Sequence, residues 1–228
     1  MNNYIPPVVK NLLIINIIFF AATWLIGESI MIPQFAVFYF ASPFFKIWQP
    51  ITYMFMHGSF MHILFNMFAL YSFGPVLEMK WGAKRFLNFY LITGLGALAL
   101  QWGVQAFEVY QITGGVTFPG AISVSNEHYR TLRDIFSGPM VGASGAIFGL
   151  LVAFGMLYPD AELYIMFIPV PVKAKYIIPI YILIELSLGI AQFQGDSVAH
   201  YAHIGGALIG FILVKIWSKK DRFYDYYE

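Results

Sequence analysis

The stretch Val141-Gly142-Ala143-Ser144-Gly145-Ala146-Ile147-Phe148-Gly149-Leu150-Leu151 sets one hydroxyl, that of Ser144, between Gly142 and Gly145 where an apolar helix begins. With nothing bulky beside it, this oxygen is open to close approach by backbone or substrate. Ser144 is therefore a candidate nucleophile. Small residues at this spacing also serve as packing surface between membrane helices, and so short a motif is weak alone. The rest of the chain has to decide.

Composition fixes the class. Of 228 residues, 59% are hydrophobic and 11% charged, and the mean hydropathy is +0.69; soluble domains carry about 25% charged residues. A soluble domain has no means of hiding that much apolar surface, so the chain reads as an all-α, polytopic membrane protein whose surroundings are the lipid bilayer. The net charge of +1 says nothing about a nucleic-acid partner, but no basic tract long enough to bind one is present, so none is expected. The lack of cysteine excludes disulfides, thiolate metal sites and a cysteine nucleophile.

Working outward, the quoted stretch opens a span over 142–158, one of six expected spans, the others being 8–26, 59–77, 86–107, 176–193 and 198–217. Together they make a single membrane-embedded domain over 1–228, without an internal repeat. The first span is long and no small-x-small cleavage site follows it, so it reads as a retained helix rather than a signal peptide. Residues 27–57 are broken by Pro33, Pro43 and Pro50 and are too short in any piece to cross. Their rings, Phe35, Phe38, Tyr39, Phe40, Phe44, Phe45 and Trp48, suit either an interfacial loop or packing against neighbouring helices. Residues 108–140, with Gly114-Gly115 and Pro119-Gly120, read as a polar, solvent-exposed loop.

Six spans put both termini on one side. Lys10, Lys80, Lys84, Arg85, Lys173, Lys175, Lys215, Lys219, Lys220 and Arg222 fall on that side, and of the 13 basic residues only Lys46, Arg130 and Arg133 fall opposite. Basic residues favour the cytoplasmic face, so both termini are expected there. Ser144 then lies a short way below the extracytoplasmic surface. The last span descends from the same side and brings His203 to a comparable depth. Gly206, Ala207 and Gly210 share its face, while Gly145 and Gly149 form a small pair beside Ser144. Two such faces allow backbones to approach closely and bring His203 within hydrogen-bond reach of Ser144. A serine hydroxyl needs such a base before it can attack. His62 and Asn66, four apart on the second span, also start from this side and point inward, since lipid-facing polar groups are costly. They are candidate donors to an oxyanion.

The segments His57-Gly-Ser-Phe-Met-His62-Ile-Leu-Phe-Asn66, Gly142-Ala-Ser144-Gly145 and Ala202-His203-Ile-Gly-Gly206 resemble, in order and depth, the signature set of the rhomboid family of intramembrane serine proteases. The resemblance implies a six-transmembrane-helix bundle that hydrolyses peptide bonds in or beside transmembrane segments of client membrane proteins. It implies that Ser144 is nucleophile and His203 general base and acid, a pair without the acidic third member of soluble serine proteases. The oxyanion hole would be the Ser144 amide with the His62 and Asn66 side chains. Gly142 would keep the approach open and Gly206 would let two helices meet. Trp48 falls where the family has a tryptophan in its first extracytoplasmic loop. Gln49 departs from an arginine seen in several members, and Phe148 from a tyrosine that often packs on the catalytic histidine. No cofactor or metal is expected, and the oligomeric state and client are not legible.

Glu185 stands mid-span, where a charge costs at least about 2.5 kcal/mol. It reads as protonated, as bonded to a neighbouring helix, or as part of a mobile gate, the helix partner being favoured. His57 and His200 read as loop-orienting residues near the interface, and His128 as solvated. A metalloprotease fails on spacing, since His-Glu-x-x-His is absent and His57 and His62 lie about 140° apart on a helix. A transporter would be expected to show repeated halves. The remaining alternative is a catalytically silent rhomboid-like protein that binds membrane clients, and the retained serine and histidine argue against it. The N-terminus lacks a transit-type signal, which favours a bacterial inner (plasma) membrane.

Overall fold

The computed structural model describes residues 5–117, 124–164, 170–191 and 199–225. Its elements run α1 (Pro7–Ile26), α2 (Glu28–Phe35), α3 (Gln49–Thr52) with a 3-10 turn at Tyr53–Phe55, α4 (Phe60–Trp81), α5 (Ala83–Thr113), α6 (Asn126–Ser137), α7 (Ser144–Leu157), a hairpin of β1 (Glu162–Tyr164) and β2 (Pro171–Lys173), then α8 (Ala174–Ala191) and α9 (His200–Asp225). β1 and β2 are antiparallel, with Leu163 opposite Val172.

Four of the described helices, α1, α4, α5 and α9, are long and apolar enough to cross a membrane. Their outer faces are greasy: Trp24, Phe68 and Ile216 are all exposed, a distribution that only an apolar solvent makes stable. α7 has 14 residues, about 21 Å at 1.5 Å per residue, less than a hydrocarbon core of about 30 Å. Every one of its residues is buried or half-buried. It is enclosed by α4, α5, α8 and α9, with α9 packed most heavily on α5 and α7.

The ends of the helices differ from the expected spans for local reasons. α4 is capped by Ser59, whose hydroxyl accepts from the His62 amide at 3.1 Å, and it runs through Pro75 to Trp81. Gly82, at φ +77°, then turns the chain directly into the 31-residue α5. Gly142 lies before α7 rather than in it, at φ +131°. The expected ends at Phe193 and Val198 lie outside the described residues, as does Pro119-Gly120.

The polar stretch 108–140 is not simply an exposed loop. α5 continues through its first residues, and α6 buries Leu132, Ile135 and Phe136 against Tyr39 and Val109. Those three sit at helical spacing, a stripe too short to notice among so many charges. In the segment before α4, Phe38 and Tyr39 are buried while Phe40, Phe44 and Trp48 are exposed, so packing and surface placement are both realised.

Polar ties hold the ends of the bundle. Glu78, buried near the end of α4, accepts from the amides of Val8 at 2.9 Å and Val9 at 2.8 Å, two donors that α1 itself leaves unpaired. Nearby, Trp81 and Trp217 meet edge to face at 5.4 Å, with the Arg85 guanidinium 4.4 Å from the Trp217 ring centre. Beyond α7, exposed Asp160 accepts from Lys175 at 2.8 Å and Lys173 at 3.3 Å, and these bonds hold its carboxyl below the usual range.

Candidate active site

Ser144 is the first residue of α7, and no side chain caps this helix. The first turn's amides therefore have no partner within the helix and present the positive end of its dipole. The loop before it is pinned from both sides. Val37 and Met140 form an antiparallel bridge, and the Gly142 amide donates to the Tyr53 carbonyl at 3.0 Å. Tyr53 is fixed in turn by its hydroxyl on the Gly94 carbonyl at 2.7 Å.

α9 reaches Ser144 because glycine lets it. A Cβ on Gly206 would run into the Gly145 carbonyl, and one on Gly210 would lie 2.9 Å from the Gly149 carbonyl oxygen. The two backbones are thus in direct contact, and His203 Nε2 lies 2.7 Å from Ser144 Oγ. Phe148, one turn along α7, stacks on the His203 ring at 4.4 Å and 9°, which fixes the plane of the imidazole. Gly145 and Gly149 use their own bare faces differently from expectation. They face Ala97 and Thr93 of α5, so the close-packed centre has three helices. Thr93, Gly96 and Ala97 of α5, small residues on the side that meets α7 and α9, were the signal for this, hidden in a span read only as apolar.

His62 and Asn66 come from the first turns of α4. A Cβ on Gly142 would lie 2.8 Å from His62 Nε2 and 3.4 Å from Ser144 Oγ, so the bare glycine stands between the two side chains. Asn66 is buried, and its Nδ2 has no hydrogen-bond partner among the described residues. His57 is buried and stands edge-on to His62 at 5.0 Å. Burial, with His62 beside it, drives its imidazole from an ordinary 6.5 down to about 3. His128 is exposed on α6. Gln49, wholly buried, donates to the Pro33 and Phe44 carbonyls at 3.2 Å each and accepts from the Lys46 amide at 3.0 Å. A neutral amide thereby staples the loop at that position, while Trp48 donates to the Gln34 carbonyl at 2.8 Å.

One contact runs against expectation. Glu185 of α8 sets Oε2 2.8 Å from His203 Nδ1 and 2.7 Å from His200 Nδ1. An acid therefore touches the histidine that was expected to lack one, and His200 is buried on the same carboxylate. The signal was present, since a mid-span carboxylate needs partners and two histidines three apart share a helix face. Glu185, His200 and His203 offer metal-ligating atoms all within 4.8 Å of one another and are the residues able to hold an ion among those described.

A model of the rhomboid domain family matches residues 44–220. The chain belongs to the rhomboid family. Among curated relatives it is 30% identical over 159 residues to Rhomboid protein 1, mitochondrial, of Saccharomyces cerevisiae, covering 69% of this chain and 38% of that protein. It is 29% identical over 170 residues to rhomboid protease AarA of Providencia stuartii, covering 73% of this chain and 54% of the relative. Against RHOMBOID-like protein 12, mitochondrial, of Arabidopsis thaliana it is 30% identical over 176 residues, 76% of this chain and 47% of the other. The chain spans about a third to a half of the length of the curated relatives it matches. As a rhomboid with these apolar helices, it is an integral membrane protein of all-α fold. Membership supports an intramembrane protease or rhomboid-like function at the level of the family.

Proposed function

We propose that this rhomboid is an active intramembrane serine endopeptidase that hydrolyses peptide bonds in or beside the transmembrane segments of client membrane proteins. The observation that carries this reading is the 2.7 Å separation of Ser144 Oγ and His203 Nε2 at an uncapped helix start inside an apolar bundle. His203 Nε2 takes the Ser144 proton as Oγ bonds to the client's carbonyl carbon, and the displaced π pair goes onto the carbonyl oxygen. That oxyanion meets the Ser144 amide and the His62 and Asn66 side chains. His203 then returns the proton to the leaving amine, and water hydrolyses the acyl-enzyme by the same route reversed. The client strand must be unwound locally, because helical hydrogen bonds hold its carbonyls in place.

Fluorophosphonate labelling of the purified protein tests the reading. The wild type is expected to react, and Ser144→Ala and His203→Ala to remain unlabelled with their folds intact. A folded, lipid-reconstituted wild type that takes up no label would overturn it in favour of a silent, client-binding rhomboid.

The same proposal has six spans in one domain over 1–228, both termini cytoplasmic, in a bacterial inner (plasma) membrane. The bias of 13 basic residues, ten against three, supports the orientation. The chain has no cysteine, so Lys84→Cys and Arg130→Cys each give a single reporter. An impermeant maleimide added outside intact cells is expected to label only the second.

A further inference from the structure

Glu185 is a polar side chain in direct contact with His203 that the proposed reaction does not use. Its carboxylate is buried, yet it takes two short contacts on one oxygen, from His203 Nδ1 at 2.8 Å and His200 Nδ1 at 2.7 Å. We infer that Glu185 is a positioning residue that fixes the tautomer and orientation of His203 and stabilises its cation, giving this rhomboid a Ser144–His203–Glu185 relay. The inference rests on the reading of Ser144 and His203 as nucleophile and base.

The chemistry follows from which nitrogen holds the proton. An ionised carboxylate only accepts, so the Nδ1 facing it must carry hydrogen, and the lone pair is left on Nε2, the atom 2.7 Å from Ser144 Oγ. When Nε2 takes the serine proton the ring becomes a cation, and Oε2 lies against its Nδ1–H. His200 supplies the second hydrogen bond to the same oxygen and holds the carboxylate rotamer. Both histidines come from the start of α9, so one carboxylate of α8 is bonded to two side chains of that helix. Phe148 restrains the ring plane from the other side. Direct hydrogen bonding suits the spacing better than a bridging metal, because two nitrogen or oxygen ligands on a tetrahedral zinc stand roughly 3.3 Å apart.

The test compares fluorophosphonate labelling rates and melting temperatures of the full-length protein in lipid. Glu185→Gln keeps the shape but offers an amide that can hold the wrong tautomer; it is expected to label at least about 100-fold more slowly with unchanged melting, as for the equivalent change in soluble serine proteases. His200→Gln is expected to lose less. If Glu185 were only a tether between α8 and α9, the two variants would fall together in melting temperature and rate. Labelling of Glu185→Gln within threefold of wild type, with Ser144→Ala and His203→Ala both dead, would overturn this inference and leave the base reading standing. Labelling that persists in His203→Ala would overturn the base reading itself. Histidine 15N shifts of the wild type, with His203 assigned by difference from His203→Gln, read the tautomer without relying on a Glu185 variant. Protonated Nδ1 is expected, and protonated Nε2 with bare Nδ1 would overturn the inference.

Discussion

Asn66 buries an amide nitrogen that donates to nothing among the described residues, and leaving a buried donor unpaired costs about 1–3 kcal/mol. On the proposed function such a cost is recovered when an oxyanion arrives, and the side chain then serves the transition state and contributes little to folding. Asn66→Ala is expected to lower kcat by about 10²- to 10³-fold, the usual loss for one oxyanion donor, with an unchanged melting temperature. Gly142 carries a sharper constraint. At φ +131°, with His62 Nε2 only 2.8 Å from where a Cβ would sit, Gly142→Ala strains the loop and pushes His62 away. Its labelling rate should fall close to that of Ser144→Ala. His57 supplies a pH signature. Its folded form titrates at about 3 against an ordinary 6.5, so the unfolded chain binds the extra proton between those values. Stability is therefore undisturbed above about 6.5 and falls steadily as the pH drops toward 3. Melting curves across that window should be steeper in pH for the wild type than for His57→Gln.

At the scale of elements, the contact of α7 with α9 decides whether there is a site. Gly206→Val forces a side chain into the Gly145 carbonyl. The helices must separate, and both labelling and melting temperature should drop. The glycine spacing of 206 and 210 was readable because one face of a helix is a local property of sequence. The partner of each glycine was not, since three apolar helices offer similar stripes and only packing in space chooses among them. The same limit hid the acid. Glu185 and His203 lie on different helices, joined in part by residues outside those described, and nothing in their spacing along the chain implies a 2.8 Å contact. α6 escaped for the opposite reason: three apolar residues among charges are a weak periodic signal, though Ser125 caps the helix in the ordinary way. The pairing of Ser144 with His203 was legible, because the small-residue faces beside them are local patterns of sequence.

Over the whole molecule, α1 is fastened to the bundle by a carboxylate rather than by packing alone. Glu78→Ala strands the Val8 and Val9 amides and is expected to cost about 1.5–3 kcal/mol, measured as a loss in denaturation free energy in detergent. The site is far from this tie, so the labelling rate of the folded fraction should hold. The shortness of α7 has another consequence. Because none of its residues is fully exposed, the position of Ser144 is set by neighbouring helices more than by lipid thickness. A client helix, in contrast, takes its vertical register from the lipid around it. On the proposed function the protein is then a ruler of fixed height standing in a medium of variable height. In vesicles of shorter acyl chains, the scissile bond should move along the client sequence while the intrinsic reactivity of the serine stays the same.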